Sequence, residues 1–321
     1  MSRTIAITGA TGFAGRHAVA ELLAQGHRLK ALVRRPDRAG LSSAVELVQG
    51  DLHDDAALDR LVKDADAVVH LAGAITALEL HGYFRVNAHG TLALAEAAVR
   101  AGTRRFVHVS SLSAREPQLS PYGASKRAGE DTIMRLSDKL NAVVIRPPAV
   151  YGPGDKGTLP LIKELTRPIA AIPGPRDARF SLIHGGDLAR IIAAAVNGTE
   201  QGIHEVSDGQ PGGYGWPDLI RVAEAMRQKP IRAVYLPRMV PMAVALGAEA
   251  LSRLSGKPGM VNRGKVAELY HRDWVSRAGA LSLSDPVTFE AGYPETVAWY
   301  REAGWLPAGP RADRTAQNSR T

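Results

Sequence analysis

The N-terminal fifteen residues restrict the fold more than any other part of the chain. Residues 4–8 are a short apolar run typical of a buried parallel strand, and an amphipathic, helix-like stretch covers residues 13–25. A glycine-rich turn joins them, with Gly9, Thr11, Gly12, Phe13 and Gly15 at its key positions. Glycines at this spacing permit a tight turn and let the backbone approach a pyrophosphate. We therefore predict a strand–turn–helix unit whose helix N-terminus binds the pyrophosphate of a dinucleotide.

Strand-like and helix-like segments alternate through the first half of the chain. The predicted strands are residues 4–8, 28–33, 45–49, 66–72, 104–110 and 141–146. The predicted helices are residues 13–25, 54–63, 83–101 and 121–138. Alternation of this kind produces a parallel sheet with helices on both faces. We therefore predict an α/β fold, with a Rossmann-type doubly wound parallel sheet forming a dinucleotide-binding domain over residues 1–150.

The composition of the sequence changes after Tyr151. Prolines and glycines crowd residues 152–175, which indicates loops and short helices. We assign residues 151–306 to a smaller substrate-binding lobe, within which about 178–206 returns to the sheet with a strand near Phe180 and a helix. Helices are predicted at 216–228 and 238–254, with a strand near 231–235. The polar, basic segment 307–321 is expected to be disordered.

Composition favours a cytoplasmic protein without disulfides. The chain has 321 residues and no cysteine, which fits a reducing compartment. The first three residues lead straight into the first strand, so we expect no signal peptide. No apolar run reaches the length of about 20 residues that spans a bilayer. The nearest, residues 239–251, contains Pro241 and Glu249; we expect it to pack in the core, with a membrane-surface role as the less favoured alternative.

The net charge of +8 does not predict a nucleic-acid-binding protein, because lysines and arginines are scattered rather than clustered with aromatic residues. A basic surface of this kind favours anionic cofactors or substrates instead. The ten histidines show neither H-x-x-x-H nor H-E-x-x-H spacing, so we expect no metal site.

Tyr122 and Lys126 are the strongest candidates for catalysis. They are four residues apart, so on a helix they share one face with Cβ atoms about 5–6 Å apart. An ammonium beside a phenol stabilises the phenolate. We therefore predict that Lys126 lowers the pKa of Tyr122 from about 10 towards the working pH, where a general acid–base is most effective.

Several further segments appear in a fixed order with these two motifs. They are Gly50-Asp-Leu52, His70-Leu-Ala-Gly73, Val86-Asn87, Val109-Ser-Ser111, residues 146–153 and residues 183–189. The chain thereby resembles the extended short-chain dehydrogenase/reductase superfamily, the NAD(P)-dependent epimerase/dehydratase-like group. The resemblance covers roughly residues 4–206 and returns in residues 296–306, which look like the closing helix of that group.

The resemblance implies a catalytic role for four residues. Ser111 would orient the reacting oxygen, with Ser110 and Ser113 as alternatives because the sequence does not fix which hydroxyl points inward. Tyr122 would exchange the proton, and Lys126 would also bind the cofactor ribose. Asn87 would support a proton relay or hold Lys126 through water, or it would only pack within its helix.

The resemblance also implies the residues that surround the cofactor. Asp51 and Leu52 would lie at the adenine. Leu71, Ala72 and Gly73 would line the cofactor beyond the fourth strand. Pro147 and Val150 belong to the loop that would lie behind the nicotinamide, whereas Arg146 is expected to be structural.

The end of the second strand predicts the choice of cofactor. An acidic residue at this point binds the ribose hydroxyls of NAD, whereas a nearby arginine accommodates the 2′-phosphate of NADP. This strand ends in Arg34 and Arg35, with no acid at its tip. A guanidinium binds phosphate through a charge-assisted fork, so we predict NADP(H) over NAD(H). The alternative is that both arginines only begin an exposed loop.

Three functions remain open. The first is an NADP(H)-dependent carbonyl reductase or alcohol dehydrogenase acting on a small molecule, as a monomer or a homodimer. The second is a sugar or sugar-nucleotide epimerase, although the eleven-residue step from Ser111 to Tyr122 is short for a nucleotide-sugar enzyme. Dehydration is disfavoured because Leu112-Ser113 stands where such enzymes carry an acidic pair. The third is a non-enzymatic NADP(H)-binding protein, which the intact Tyr122 and Lys126 pair disfavours.

Overall fold

A computed structural model of the chain describes residues 2–277 and 279–307. Within these residues the largest sheet has seven strands, all paired in parallel. In spatial order they are β11 (Gly202–Glu205), β6 (Asn141–Arg146), β5 (Arg105–Val109), β4 (Ala67–His70), β1 (Thr4–Thr8), β2 (Arg28–Val33) and β3 (Val45–Gln49). The direction of winding reverses between β1 and β4, and ligands of such sheets bind at this switch point. The predicted α/β, doubly wound fold is confirmed.

Helices cover both faces of the sheet because its central strands are apolar on both sides. In β1, Ile5 and Ile7 point into one core and Ala6 into the other, as the two-residue period of a strand requires. The first core is covered by α1 (Phe13–Ala24) and α7 (Gly185–Asn197). The second is covered by α2 (Asp55–Val62), α4 (Gly90–Arg100) and α5 (Pro121–Arg135). The predicted strands and helices of the first half agree with these elements to within three residues, with one exception. The single helix predicted over 83–101 is observed as a short helix α3 (Leu80–Phe84), a π-helical turn (Arg85–His89) and α4.

A third core holds the second half together. Its largest side chains are aromatic and include Tyr151, Tyr293 and Tyr300. Besides α7, the helices of this half are α6 (Leu159–Leu165), α8 (Trp216–Arg227), α9 (Met239–Ser255), α10 (Arg263–Leu269) and α11 (Phe289–Glu302). Its short strands are β7 (Ala149–Tyr151), β8 (Ile169–Ile172), β9 (Arg179–Phe180), β10 (Leu182–His184), β12 (Tyr214–Gly215), β13 (Arg232–Tyr235) and β14 (Asp273–Trp274).

The strand expected near Phe180 does not join the large sheet. β9 and β10 pair with β12, β14 and β7 instead, and it is β11 that extends the large sheet beside β6. The reason is topological. β11 lies parallel to β6, so the chain has to return to the starting edge of the sheet before β11 begins, and α7 makes this return. The boundary at residue 151 stays a prediction, and the expected disorder of the tail falls on residues 308–321, outside the described part.

Helix α9 contradicts the prediction of a core-packed helix. Of its seventeen residues only Ala245 is buried. The prediction rested on the apolar residues of this segment. The sequence does not show whether another part of the chain packs against them. Across residues 2–277 and 279–307, no helix is both long enough and apolar enough to cross a bilayer.

Candidate active site

The glycine-rich turn packs against the loop that follows β4. Gly9 has a φ of +74°, and a Cβ added there would lie 2.6 Å from the backbone nitrogen of Ala72. A Cβ on Gly15 would lie only 2.1 Å from the carbonyl oxygen of Gly9. Side chains at either position would push the helix away from the strand, so glycine is required at both.

The start of α1 is suited to an anion. Among the described residues no side chain caps it at Gly12, and Thr11 and Gly12 are exposed. The first N–H groups of a helix lack partners within the helix and carry the positive end of its dipole. The cradle formed by Gly9, Gly12 and Gly15 therefore fits the pyrophosphate of a dinucleotide.

The other predicted cofactor residues surround the same edge of the sheet. Leu71 and Ala72 are half-buried after β4, and Gly73 is exposed. Asp51 is exposed after β3 and accepts a hydrogen bond from the backbone N–H of His53 at 2.8 Å. The remaining three are the buried Leu52, the buried Pro147 and the half-buried Val150. Their contact with a cofactor stays a prediction.

Arg34 and Arg35 follow β2 directly and are exposed. Neither guanidinium forms an ion pair with another described residue, whereas the neighbouring Arg38 pairs with Asp37 at 3.5 Å. Both side chains can therefore reach a phosphate without first breaking an ion pair.

The catalytic candidates Tyr122 and Lys126 lie in the first two turns of α5. Pro121 is the first residue of this helix, and Ser120 caps it by accepting a hydrogen bond from the N–H of Gly123 at 2.9 Å. Proline at the first position and serine at the cap both favour a helix start at this point. The start of the helix therefore fixes where Tyr122 and Lys126 stand.

The structure distinguishes the three candidate serines. The Ser111 side chain lies close enough to the Tyr122 phenol to lower its pKa. The Ser110 hydroxyl instead donates to Glu130, and Ser113 donates its backbone N–H to the Ser111 oxygen at 3.2 Å. Adjacent residues at a strand end point in opposite directions, which is why Ser110 and Ser111 reach different partners. Of the three hydroxyls, that of Ser111 is brought to Tyr122.

The pKa of Tyr122 is not lowered as predicted. The pKa of Tyr122 is raised to about 12, chiefly by burial of the phenol; the Ser111 side chain acts to lower it, and the charges of Glu268 and Tyr83 act to raise it. The ammonium of Lys126 donates to the carbonyl oxygen of Val109 at 2.9 Å. Burial lowers the pKa of Lys126 to about 8, opposed by the charge of Glu130. The loss of water around Tyr122 is thus the largest effect on its pKa, and Lys126 is not among the groups that shift it.

Asn87 is buried in a π-helical turn, Arg85–His89, that precedes α4. Its amide donates to Ser125 at 2.8 Å and to the carbonyl of Ala74 at 3.0 Å, and it accepts from the N–H of Ala74 at 2.7 Å. A Cβ on Gly73 would lie 3.1 Å from the Asn87 oxygen and 3.8 Å from the Lys126 nitrogen. Asn87 therefore holds the loop after β4 beside Lys126, and its part in a proton relay stays a prediction.

Sequence reasoning missed two buried carboxylates. Glu130 is fully buried and accepts two hydrogen bonds from Arg146, at 2.8 and 2.5 Å. The four-residue step from Lys126 to Glu130 was a usable signal, because both then share one helix face. Glu268, from α10, accepts a hydrogen bond from Ser120. Nothing in the sequence pointed to this contact, since 148 residues separate the two.

A cavity of about 450 Å³ lies beside the start of α5. Its wall includes Pro121, which precedes Tyr122, and Tyr83, whose phenol acts on the pKa of Tyr122. Across the cavity lie residues of α9 and α10, among them Met242 and Arg263. The cavity therefore borders the first residue of the catalytic helix, and Tyr122 itself is not among its lining residues.

A Rossmann-type sheet with a glycine cradle, together with serine, tyrosine and lysine at the carboxyl ends of its strands, defines an extended short-chain dehydrogenase/reductase. The sequence model of the NAD dependent epimerase/dehydratase family matches residues 5–206, and the chain belongs to this family. The resemblance seen in the sequence is confirmed.

Two relatives that match nearly the whole chain are named for a ceramide and a sterol. It is 43% identical over 310 residues to the ceramide reductase of Caulobacter vibrioides, covering 94% of this chain and 96% of the relative. It is 26% identical to sterol demethylase protein B of Methylococcus capsulatus, covering 94% and 100%. Among solved structures, the crystal structure of gox2253 superposes with a TM-score of 0.71 at 25% identity, covering 95% of this chain and all of that one.

Proposed function

We propose that this chain is a cytoplasmic, NADP(H)-dependent reductase that converts a carbonyl group of a ceramide-like lipid into a hydroxyl group. The observation that carries the reaction type is the placement of the Ser111 side chain beside the Tyr122 phenol, with the Lys126 ammonium four residues further along the same helix. The substrate class is supported by the ceramide reductase that resembles this chain over nearly its whole length.

A nicotinamide held by these residues would supply a hydride to the carbonyl carbon. The hydroxyls of Ser111 and Tyr122 bind the carbonyl oxygen and orient it. As the hydride reaches the carbon, Tyr122 transfers its phenolic proton to the oxygen, which gives the alcohol and a tyrosinate. A pKa of about 12 keeps Tyr122 protonated at neutral pH, as a proton donor in reduction must be.

Lys126 stabilises the tyrosinate that proton transfer leaves behind. With a pKa of about 8 it is mostly charged at neutral pH, and the Val109 carbonyl holds it in place. The glycine cradle, Asp51, Leu71 and Val150 are assigned to the cofactor. Lys126 is also assigned to binding the cofactor ribose, and Asn87 is assigned to holding Lys126 in place.

The preference for NADP(H) rests on Arg34 and Arg35. We expect NADPH to bind at least about tenfold more tightly than NADH, which is about 1.4 kcal/mol. Arg34→Asp should abolish this difference, because it removes a phosphate-binding guanidinium and adds a repelling charge. Fluorescence titration of both cofactors measures the effect. Arg28→Asp, an exposed arginine at the other end of β2, makes the same charge change and should leave the ratio unaltered. Equal affinity of the unmodified protein for the two cofactors would contradict the assignment.

The reaction itself is tested by loss of NADPH absorbance with a panel of substrates. The panel contains a keto-ceramide in detergent, a keto-steroid, a short ketone and UDP-glucose. We expect stoichiometric NADPH oxidation that is fastest, by at least about tenfold in kcat/KM, with the keto-ceramide. Interconversion of UDP-sugars without net cofactor turnover would identify an epimerase instead. Tight NADPH binding with no turnover of any carbonyl would favour a binding protein.

A further inference from the structure

Helix α9 presents an apolar face that the described residues leave uncovered. Val240, Val244, Leu251 and Leu254 follow one another at steps of four, seven and three residues, so they lie along one side of the helix. Their side chains are 48 to 87% exposed. We call these four residues the α9 face. Monomeric soluble proteins seldom expose a contiguous apolar surface of this kind unless it binds something.

A second exposed apolar segment lies across the cavity from α9. Ile75, Leu78 and Leu80 are all exposed, and the last two line the cavity beside α5. Met242 of α9 lines the same cavity. The cavity thus opens between two apolar rims, and its lining includes Pro121, the residue before Tyr122.

Basic residues surround the α9 face. Residues 238–263 contain four basic side chains and a single acidic one, Glu249. Arg238, Arg253 and Lys257 are exposed, whereas Arg263 binds Glu249 at 3.0 Å. An apolar helix face with a basic margin is typical of proteins that lie on an anionic lipid surface. A second copy of the chain fits less well, because each copy carries a net charge of +8 and would bring a like basic margin.

We propose that the α9 face and residues 75–80 dock on an anionic lipid bilayer, with the cavity between them open towards the membrane. The lipid substrate then passes from the bilayer into the cavity without crossing water. This second step rests on the proposed function, whereas the docking does not.

Docking is tested by co-sedimentation with vesicles of phosphatidylcholine alone or mixed with phosphatidylglycerol. We expect at least about tenfold stronger binding to the anionic vesicles, weakened by salt. Val244→Glu/Leu251→Glu should abolish binding, because two charges would enter the apolar region. Arg253→Ser/Lys257→Ser should weaken binding to anionic vesicles on the order of tenfold. Leu47→Glu/Ile169→Glu adds the same two charges at exposed apolar positions outside the surface and should bind normally.

Two results would overturn the docking proposal. One is equal vesicle binding by the unmodified chain and by Val244→Glu/Leu251→Glu, or no binding by either. The other is a homodimer, measured by analytical ultracentrifugation, that this variant converts to a monomer, which would make the α9 face a contact between copies.

Activity separates the docking proposal from the proposed function. Val244→Glu/Leu251→Glu should keep its rate on a short, water-soluble ketone and lose at least about tenfold in rate on a keto-lipid held in vesicles. Vesicle binding without reduction of any keto-lipid would leave docking intact and reject the function. Reduction of keto-lipids in detergent without vesicle binding would do the reverse.

Discussion

Replacing Tyr122 by phenylalanine is expected to lower kcat by about 10²–10⁴-fold, the usual contribution of a positioned general acid. The substitution removes the hydroxyl that is assigned to proton transfer and leaves the ring in place. Binding of NADPH should change little, because the other residues assigned to the cofactor are untouched. Steady-state turnover of a keto substrate and fluorescence titration of NADPH together measure both effects.

Tyr83→Phe is the matched control for this prediction. Tyr83 is a buried tyrosine in the same surroundings, and its substitution removes the same single hydroxyl. Its effect on kcat should be a small fraction of that at Tyr122. If Tyr122→Phe retained full activity, the assigned mechanism would be wrong although the fold would stand. The search for the proton donor would then move to Ser111 and Ser113.

Glu130→Ala is expected to lower the free energy of unfolding by about 3–5 kcal/mol, the typical cost of breaking a buried ion pair from one side. Glu130 is fully buried and receives hydrogen bonds from Arg146 and Ser110. Its removal leaves the Arg146 guanidinium, which is itself mostly buried, without this partner. Urea denaturation at constant m-value measures the loss.

Two control variants test whether the cost of Glu130→Ala comes from the burial of the ion pair. Asp59→Ala breaks an ion pair of similar length, 2.9 Å to Arg100, but both side chains are more than half exposed. Its cost should therefore stay below about 1 kcal/mol. Glu130→Leu/Arg146→Met removes both buried charges and should recover most of the stability, less the hydrogen bond that Ser110 loses. A Glu130→Ala cost no greater than that of Asp59→Ala would show that the buried pair does not stabilise the fold.

The sequence predicted the sheet well because each central strand is apolar on both faces. Such runs, separated by amphipathic helices, leave few alternatives to a doubly wound sheet. The role of the glycines in the first turn could also be predicted, because the close approach of Gly9 and Gly15 to backbone atoms excludes any side chain at these positions.

Other features depend on contacts that no local pattern encodes. The raised pKa of Tyr122 follows from burial and from the charge of Glu268, which reaches the site from a helix far along the chain. The exposure of α9 depends on the absence of a covering surface among the described residues, and periodicity reveals only that a helix has an apolar side. Which of the three serines lies beside Tyr122 could be seen only once the direction of the backbone at the end of β5 was known.

The contact between Ser120 and Glu268 bears on protein engineering. Ser120 caps the catalytic helix through the Gly123 N–H and also donates to a carboxylate of the second half of the chain. A chimera joined at residue 151, made to import a different specificity, would separate these partners. Such a graft would alter both the start of the catalytic helix and the acidity of its tyrosine. A donor sequence therefore needs a carboxylate at the position of Glu268 if the transplanted half is to serve the original chemistry.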